Sequence, residues 1–127
     1  MIDSGDAVIE RMFEHLDADD WNSFSALLSS RVERIGPLGE RVVGRDAYVD
    51  LMAGGEQRTS DENRDRTTWD VHCVAYTHDR RSAFARVTAH VWHSDRELRI
   101  EETLAYEIDE DGLISGIEVF WRDPRRT

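Results

Sequence analysis

The sequence predicts an α+β fold in which helices come first and a four-stranded antiparallel meander follows, layered against each other. Three observations carry this. Apolar residues near the start recur at three- and four-residue steps, those from Trp69 onward alternate with polar ones, and between the two regimes lies a tract, EQRTSDENRDR at 56–66, with no apolar member.

Val8, Ile9, Met12, Phe13 and Leu16 make one stripe of an amphipathic helix from Ala7 to Leu16, with Asp3, Ser4 and Asp6 available as caps. Asp17-Ala18-Asp19-Asp20 interrupts the stripe. Trp21, Phe24, Leu27 and Leu28 restart it as a short second helix capped by Asp19 or Asp20. Val32 and Ile35 are the apolar members of a short strand, Arg31 to Ile35, which Gly36-Pro37-Leu38-Gly39 breaks. Gly44-Arg45-Asp46 opens a third helix carrying Ala47, Tyr48, Leu51 and Met52, and Gly54-Gly55 stops it. The 56–66 tract reads as a solvated loop. Trp69, Val71, Cys73 and Ala75 alternate in the first meander strand, and Ala83, Ala85, Val87, Ala89 and Val91 do so after the turn at Thr77 to Arg81. A turn at His93 to Arg96 leads to Leu98, Ile100, Glu102, Leu104, Tyr106 and Ile108 on one face. Asp109-Glu110-Asp111-Gly112 is the last hairpin turn, and Ile117, Val119 and Trp121 are the inward set of the final strand.

At 127 residues the chain is the size of one domain, 1–127, with one core. Its net charge of −11 repels phosphate backbones and anionic membrane surfaces, so neither nucleic acid nor membrane is an expected partner. No apolar run is long enough to cross a bilayer, and MIDSGDAVIE lacks the pattern of an export signal. The single Cys73 cannot form an internal disulfide, which fits a reducing cytoplasm, and its alternation with Val71 and Ala75 makes it a small core residue. His15, His72, His78 and His93 form no metal-ligand spacing with any carboxylate, and no phosphate-binding glycine loop or nucleophile elbow is present. No metal and no cofactor is expected.

Four segments carry a family resemblance. They are Phe13-Glu14-His15-Leu16-Asp17-Ala18-Asp19-Asp20-Trp21, Val43-Gly44-Arg45-Asp46-Ala47, Asp79-Arg80-Arg81-Ser82-Ala83, and Asp111-Gly112-Leu113-Ile114 followed by Val119-Phe120-Trp121. In this order and spacing the chain resembles, over nearly its whole length, the nuclear transport factor 2-like superfamily, in particular its SnoaL-like and ketosteroid isomerase-like members. The resemblance implies a cystatin-like α+β roll: a curved antiparallel sheet forming a cone, packed against three N-terminal helices around an internal pocket. The family includes isomerases, cyclases, dehydratases, epoxide hydrolases and binding modules, so membership does not decide the reaction. Ketosteroid isomerases use an Asp base with a Tyr and a protonated Asp that stabilise the enolate oxygen. Aligning the shared motifs puts the Tyr position on Met12, the base on Gly36 and the protonated Asp on Leu104, none of which can supply those groups. The resemblance therefore implies a protein that is not a ketosteroid isomerase.

Glu102 shares strand parity with Ile100, Leu104 and Tyr106, so it is expected to point into the cone, where desolvation raises a carboxyl pKa toward the range useful to a general acid or base. The alternative is a structural one: Glu102 near the cavity mouth, or paired with Arg34 or Arg41. Tyr106 and Tyr48 are candidates to orient a ligand oxygen, or are core tyrosines with a protein partner. Met12, Trp21, Leu104, Val119 and Trp121 are the expected pocket wall, with Trp69 a further aromatic that could line it. For His90 and Arg86 the even apolar face of Ala83 to Val91 favours an outward direction. A bulge at His93 to Arg96 would instead bring both inside, near Glu102, as an alternative polar set. The expectation is a small-molecule-pocket protein, either an acid/base enzyme (cyclase, isomerase, dehydratase or hydrolase) acting on a small apolar oxygen-containing compound through Glu102, or a non-catalytic binding or interaction module. Phe120 among Arg86, Glu118 and Arg122 on the outer sheet face, where many relatives dimerise, makes a homodimer the expected assembly.

Overall fold

The structure is a computed structural model and describes residues 7–53, 66–93 and 96–122. Three helices, α1 (Val8–Asp17), α2 (Trp21–Ala26) and α3 (Arg45–Ala53), accompany six strands: β1 (Leu28–Ile35), β2 (Arg41–Val43), β3 (Arg66–Tyr76), β4 (Ser82–His93), β5 (Arg96–Ile108) and β6 (Ile114–Arg122). The strands form one curved, unclosed sheet in the order β2-β1-β6-β5-β4-β3, and the helices pack on its concave side. The expected caps at residues 3–6, the helix stop at Gly54-Gly55 and nearly all of the 56–66 loop lie outside the described residues. None of the described helices is long and apolar enough to cross a membrane.

The stripe of α1 packs as its spacing demands, with Val8, Ile9, Met12, Phe13 and Leu16 all buried. The helix ends where Asp19 takes a left-handed φ of 55° and its N–H returns to the Leu16 carbonyl at 3.2 Å. Asp20 then caps α2, its Oδ1 accepting from the Ser23 N–H at 3.2 Å. At the entry to α3, Gly44 has φ +100°, a value that strains any residue with a Cβ. Its N–H bonds the Val32 carbonyl at 2.8 Å while its own carbonyl accepts from the Tyr48 N–H at 3.0 Å. That turn fixes α3 against β1 and drives Tyr48 into the core.

The sheet departs from the expected four-stranded antiparallel meander in two ways. Leu28 does not end α2 but starts β1, which runs parallel to β6, pairing Arg34 with Ile117 and Ile35 with Glu118. β2 adds a short hairpin on the far edge of β1, with Arg34 opposite Val42. The sheet is therefore mixed. Leu27-Leu28 suits a helix end and a strand start equally, so periodicity alone cannot place the boundary.

A second correction concerns Cys73. In β3, Val71 pairs with Val87 but Cys73 pairs with Arg86, so His72 is the extra residue of a bulge. One extra residue reverses the parity beyond it. Val74 and Tyr76 face the core from there on, and Cys73 is exposed instead of packed. Ellman's reagent is expected to titrate Cys73 fully in native protein without denaturant; a thiol that reacts only after unfolding would restore the regular strand. Phe84 and Phe120, 49% and 48% exposed, share the outer face.

Candidate functional site

The concave face of the sheet and the three helices enclose a partly open cavity of about 760 Å³. Met12 on α1, Trp21 at the start of α2, Tyr48 on α3, Glu102, Leu104 and Tyr106 on β5, and Val119 and Trp121 on β6 all line it. Met12, Leu104 and Val119 are buried wall, whereas Trp121, 49% exposed, stands at the rim. Trp69 lines the cavity too, its ring tilted against Phe13 at 6.2 Å.

The parity of β5 holds without interruption against β4, from His93 opposite Arg96 to Ser82 opposite Glu107. Glu102 consequently lies between Val87 and Trp121 on the inner face, half-buried. The Trp121 indole Nε1–H donates to Glu102 Oε2 at 2.9 Å. Burial pushes the Glu102 carboxyl above its ordinary range, while the Trp121 hydrogen bond and the positive charge of Arg34 pull in the opposite direction without cancelling it. The indole fixes one carboxyl oxygen, and the residue lines the cavity.

Tyr106 is 1% exposed, and its hydroxyl is buried with no hydrogen-bond partner among the described residues. Burial, with Tyr48 and Glu102 nearby, holds its pKa well above the ordinary phenol value, so it stays a neutral O–H donor. Tyr48 is likewise buried and shifted upward, and its ring packs on Phe24 at 5.6 Å. Tyr76, by contrast, is engaged elsewhere: its hydroxyl donates to Glu10 and accepts from the Ile9 N–H, and burial with that carboxylate pushes its pKa up to about 12.

The inward arrangement of His90 and Arg86 is not found. With no bulge between β4 and β5 both sit on the outer face, opposite the cavity side of Ala85, Val87 and Ala89. There His90 bridges two carboxylates, Nε2 to Asp70 at 2.7 Å and Nδ1 to Glu97 at 3.0 Å, and Arg99 adds a 3.1 Å contact to Glu97. His72 Nε2 and the Thr88 hydroxyl lie 2.6 Å apart beside it, Thr88 donating on to Glu101 at 2.9 Å. Glu97 and then Asp70 raise the His90 pKa, so its protonated form belongs to the folded state. The stability it adds is fully present below the unfolded value of about 6.5 and is lost as pH rises through the raised folded value. His90→Gln should therefore lower the Tm more at about pH 5.5 than at about pH 8.5; an equal loss at both would show the bridge to be uncharged.

The residue that sequence reasoning named only as a possible partner is Arg34. It lines the cavity from β1, two residues after the fully buried Val32, although Arg41, its companion in that role, pairs instead with Glu33 at 3.6 Å. The signal was the one that singled out Glu102, a charge in phase with apolar neighbours, on a strand too short to make the phase convincing. Among the described residues no group of three or more His, Cys, Asp or Glu side chains is arranged to hold a metal ion.

Comparison with known proteins agrees with this geometry. The sequence model of the SnoaL-like domain matches residues 9–117. Among curated proteins no sequence matches the chain. An LEH-like epoxide hydrolase of Mycobacterium tuberculosis superposes with a TM-score of 0.78 at 13% identity, over 93% of this chain and 82% of the relative. A proposed polyketide cyclase of Pseudomonas putida gives 0.78 at 18% identity, over 95% and 93%. A proposed ketosteroid isomerase of Kribbella flavida gives 0.71 at 23%, over 94% and 78%. Identities this low speak for the shared cone fold and not for a shared reaction. With the matched segment running from α1 into β6, the chain belongs to the SnoaL-like domain family.

Proposed function

We propose that this protein is a cofactor-independent acid/base enzyme acting on a small, largely apolar compound with a carbonyl or epoxide oxygen. Glu102 moves the proton, and Tyr106 with Tyr48 orients the ligand. The observation that carries this reading is that a carboxyl group with a raised pKa and an unpartnered tyrosine hydroxyl line the same cavity. The Glu102 carboxylate takes a proton from a carbon next to a carbonyl, or from a water that opens an epoxide. In its protonated form the same group gives a proton to a leaving oxygen. Trp121 holds the carboxyl in one orientation throughout. Glu102 and Tyr106 are four residues apart on one strand face, so both side chains point into the same cavity. The epoxide hydrolase and cyclase names among the structural relatives support this class of chemistry.

The test is a panel of apolar epoxides and enolisable ketones in deuterated water. NMR follows diol formation and deuterium uptake at the carbon beside the carbonyl. Ring opening or exchange that requires Glu102 supports the reading, while ligands that bind and return unchanged make the protein a binding module.

A further inference from the structure

Among the described residues Arg34 is the cationic side chain that lines the cavity, and the acid/base chemistry does not use it. Its guanidinium carries five N–H donors and cannot shed its charge, yet among the described residues it makes no hydrogen bond and no ion pair. None of the carboxylates that line the cavity with it or flank it closes an ion pair on it. Glu33 takes Arg41, Glu40 folds back over Gly36 to accept from the Leu38 N–H at 3.0 Å, and Glu102 gives one oxygen to the Trp121 indole and feels the Arg34 charge without an ion-pair contact. Asp19 is exposed at the α1–α2 junction. A guanidinium without a contacting counter-ion at a cavity wall keeps donors that a ligand anion can fill.

Register shows what lies beside it. Arg34 pairs with Ile117 on β6, and Ile117 pairs with Tyr106 on β5, so Arg34 and Tyr106 occupy one row across the sheet about 10 Å wide. Glu102 belongs to a different row, with Trp121. Two N–H or O–H donors, Arg34 and the Tyr106 hydroxyl, thus share one row, and the proton-transfer group stands in another row of the same cavity, near enough for the Arg34 charge to act on it.

We propose that the substrate is an apolar monocarboxylate whose carboxylate is held by Arg34 with the Tyr106 hydroxyl as second donor. This rests on the acid/base reading and names its substrate class. A planar two-oxygen anion fits the guanidinium fork in a bidentate way that a lone carbonyl oxygen cannot. A doubly charged phosphate is disfavoured, because Asp19, Glu40 and Glu102 line the same cavity.

Isothermal titration with 2-naphthoate and its neutral isostere 2-naphthamide tests this. The wild type should bind the naphthoate at least about tenfold more tightly. Arg34→Gln should lose that preference with naphthamide affinity unchanged, and Arg34→Lys should keep part of it. Glu102→Gln should tighten naphthoate binding by removing a neighbouring negative charge. Equal affinities in the wild type overturn the proposal, as does a preference that survives in Arg34→Gln. Should that variant fail to fold, the wild-type pair of probes still decides. Binding of neither probe overturns the proposal together with the pocket reading. A clear carboxylate preference alongside turnover that persists in Glu102→Gln sinks only the acid/base reading.

Discussion

Glu102→Gln is expected to lower kcat/KM by about 10²–10⁴-fold on any substrate the protein turns over, the usual contribution of a positioned proton-transfer group. The amide is isosteric and its oxygen can keep the Trp121 Nε1–H bond, so the cavity wall survives the change. Stability should not fall with activity. The folded-state carboxyl pKa is raised, so the folded protein holds its proton more tightly than the unfolded chain, and stability drops as pH rises from about 4.3 through the folded value. Gln does not titrate. The variant should melt at the same temperature as the wild type or slightly higher near neutrality, and the two should differ least well below about pH 4.3. The pH profile of kcat/KM carries the same information from the other side: a limb displaced above the ordinary carboxylate range in the wild type, absent from the residual activity of the variant. A Tm loss of many degrees with activity intact would make Glu102 a structural group.

Phe24→Ala should cost about 3–5 kcal/mol, a large share of the total for a domain of this size. Phe24 is fully buried, and its ring stands edge-on to Trp21 at 6.0 Å and tilted to Tyr48 at 5.6 Å. α2 has only six residues, too few to hold together by backbone bonding, so this ring is its anchor. Removing it also withdraws the support behind Tyr48 and the cavity wall at Trp21. Urea denaturation with a two-state fit measures the loss. A loss under about 1 kcal/mol would mean that neighbouring side chains collapse into the space and that α2 is held by something else.

How far the sequence could be read depended on how local each determinant was. The stripe of α1 was legible because helix burial is written every three or four residues, and all five of its apolar members are buried. The direction of Glu102 was legible for a similar reason, since thirteen residues of regular strand preserve parity. Cys73 was misread because a bulge is a backbone event that leaves the apolar alternation of Trp69, Val71, Cys73 and Ala75 untouched. The β1–β6 pairing was invisible, as its hydrogen bonds join backbone groups and carry no side-chain signature. Arg34 went undervalued on the same account: its place opposite Ile117, in the row of Tyr106, exists only once those distant strands meet.

That parallel pairing also sets the order in which the molecule is built. β3, β4, β5 and β6 join neighbours through hairpins, while β1 meets a strand roughly eighty residues further along the chain. Closing so long a loop costs more entropy than closing a hairpin, so the meander organises early and β1 docks late, bringing α3 with it. Pulse-labelled hydrogen exchange should find the amides of β4 and β5 protected before those of β1. Glu102 belongs to the early part and Arg34 to the late one, so the two charged groups come to share one cavity only at the final docking step. A ligand that touches both would then act as a clasp on that step, slowing the first event of unfolding more than it hastens folding.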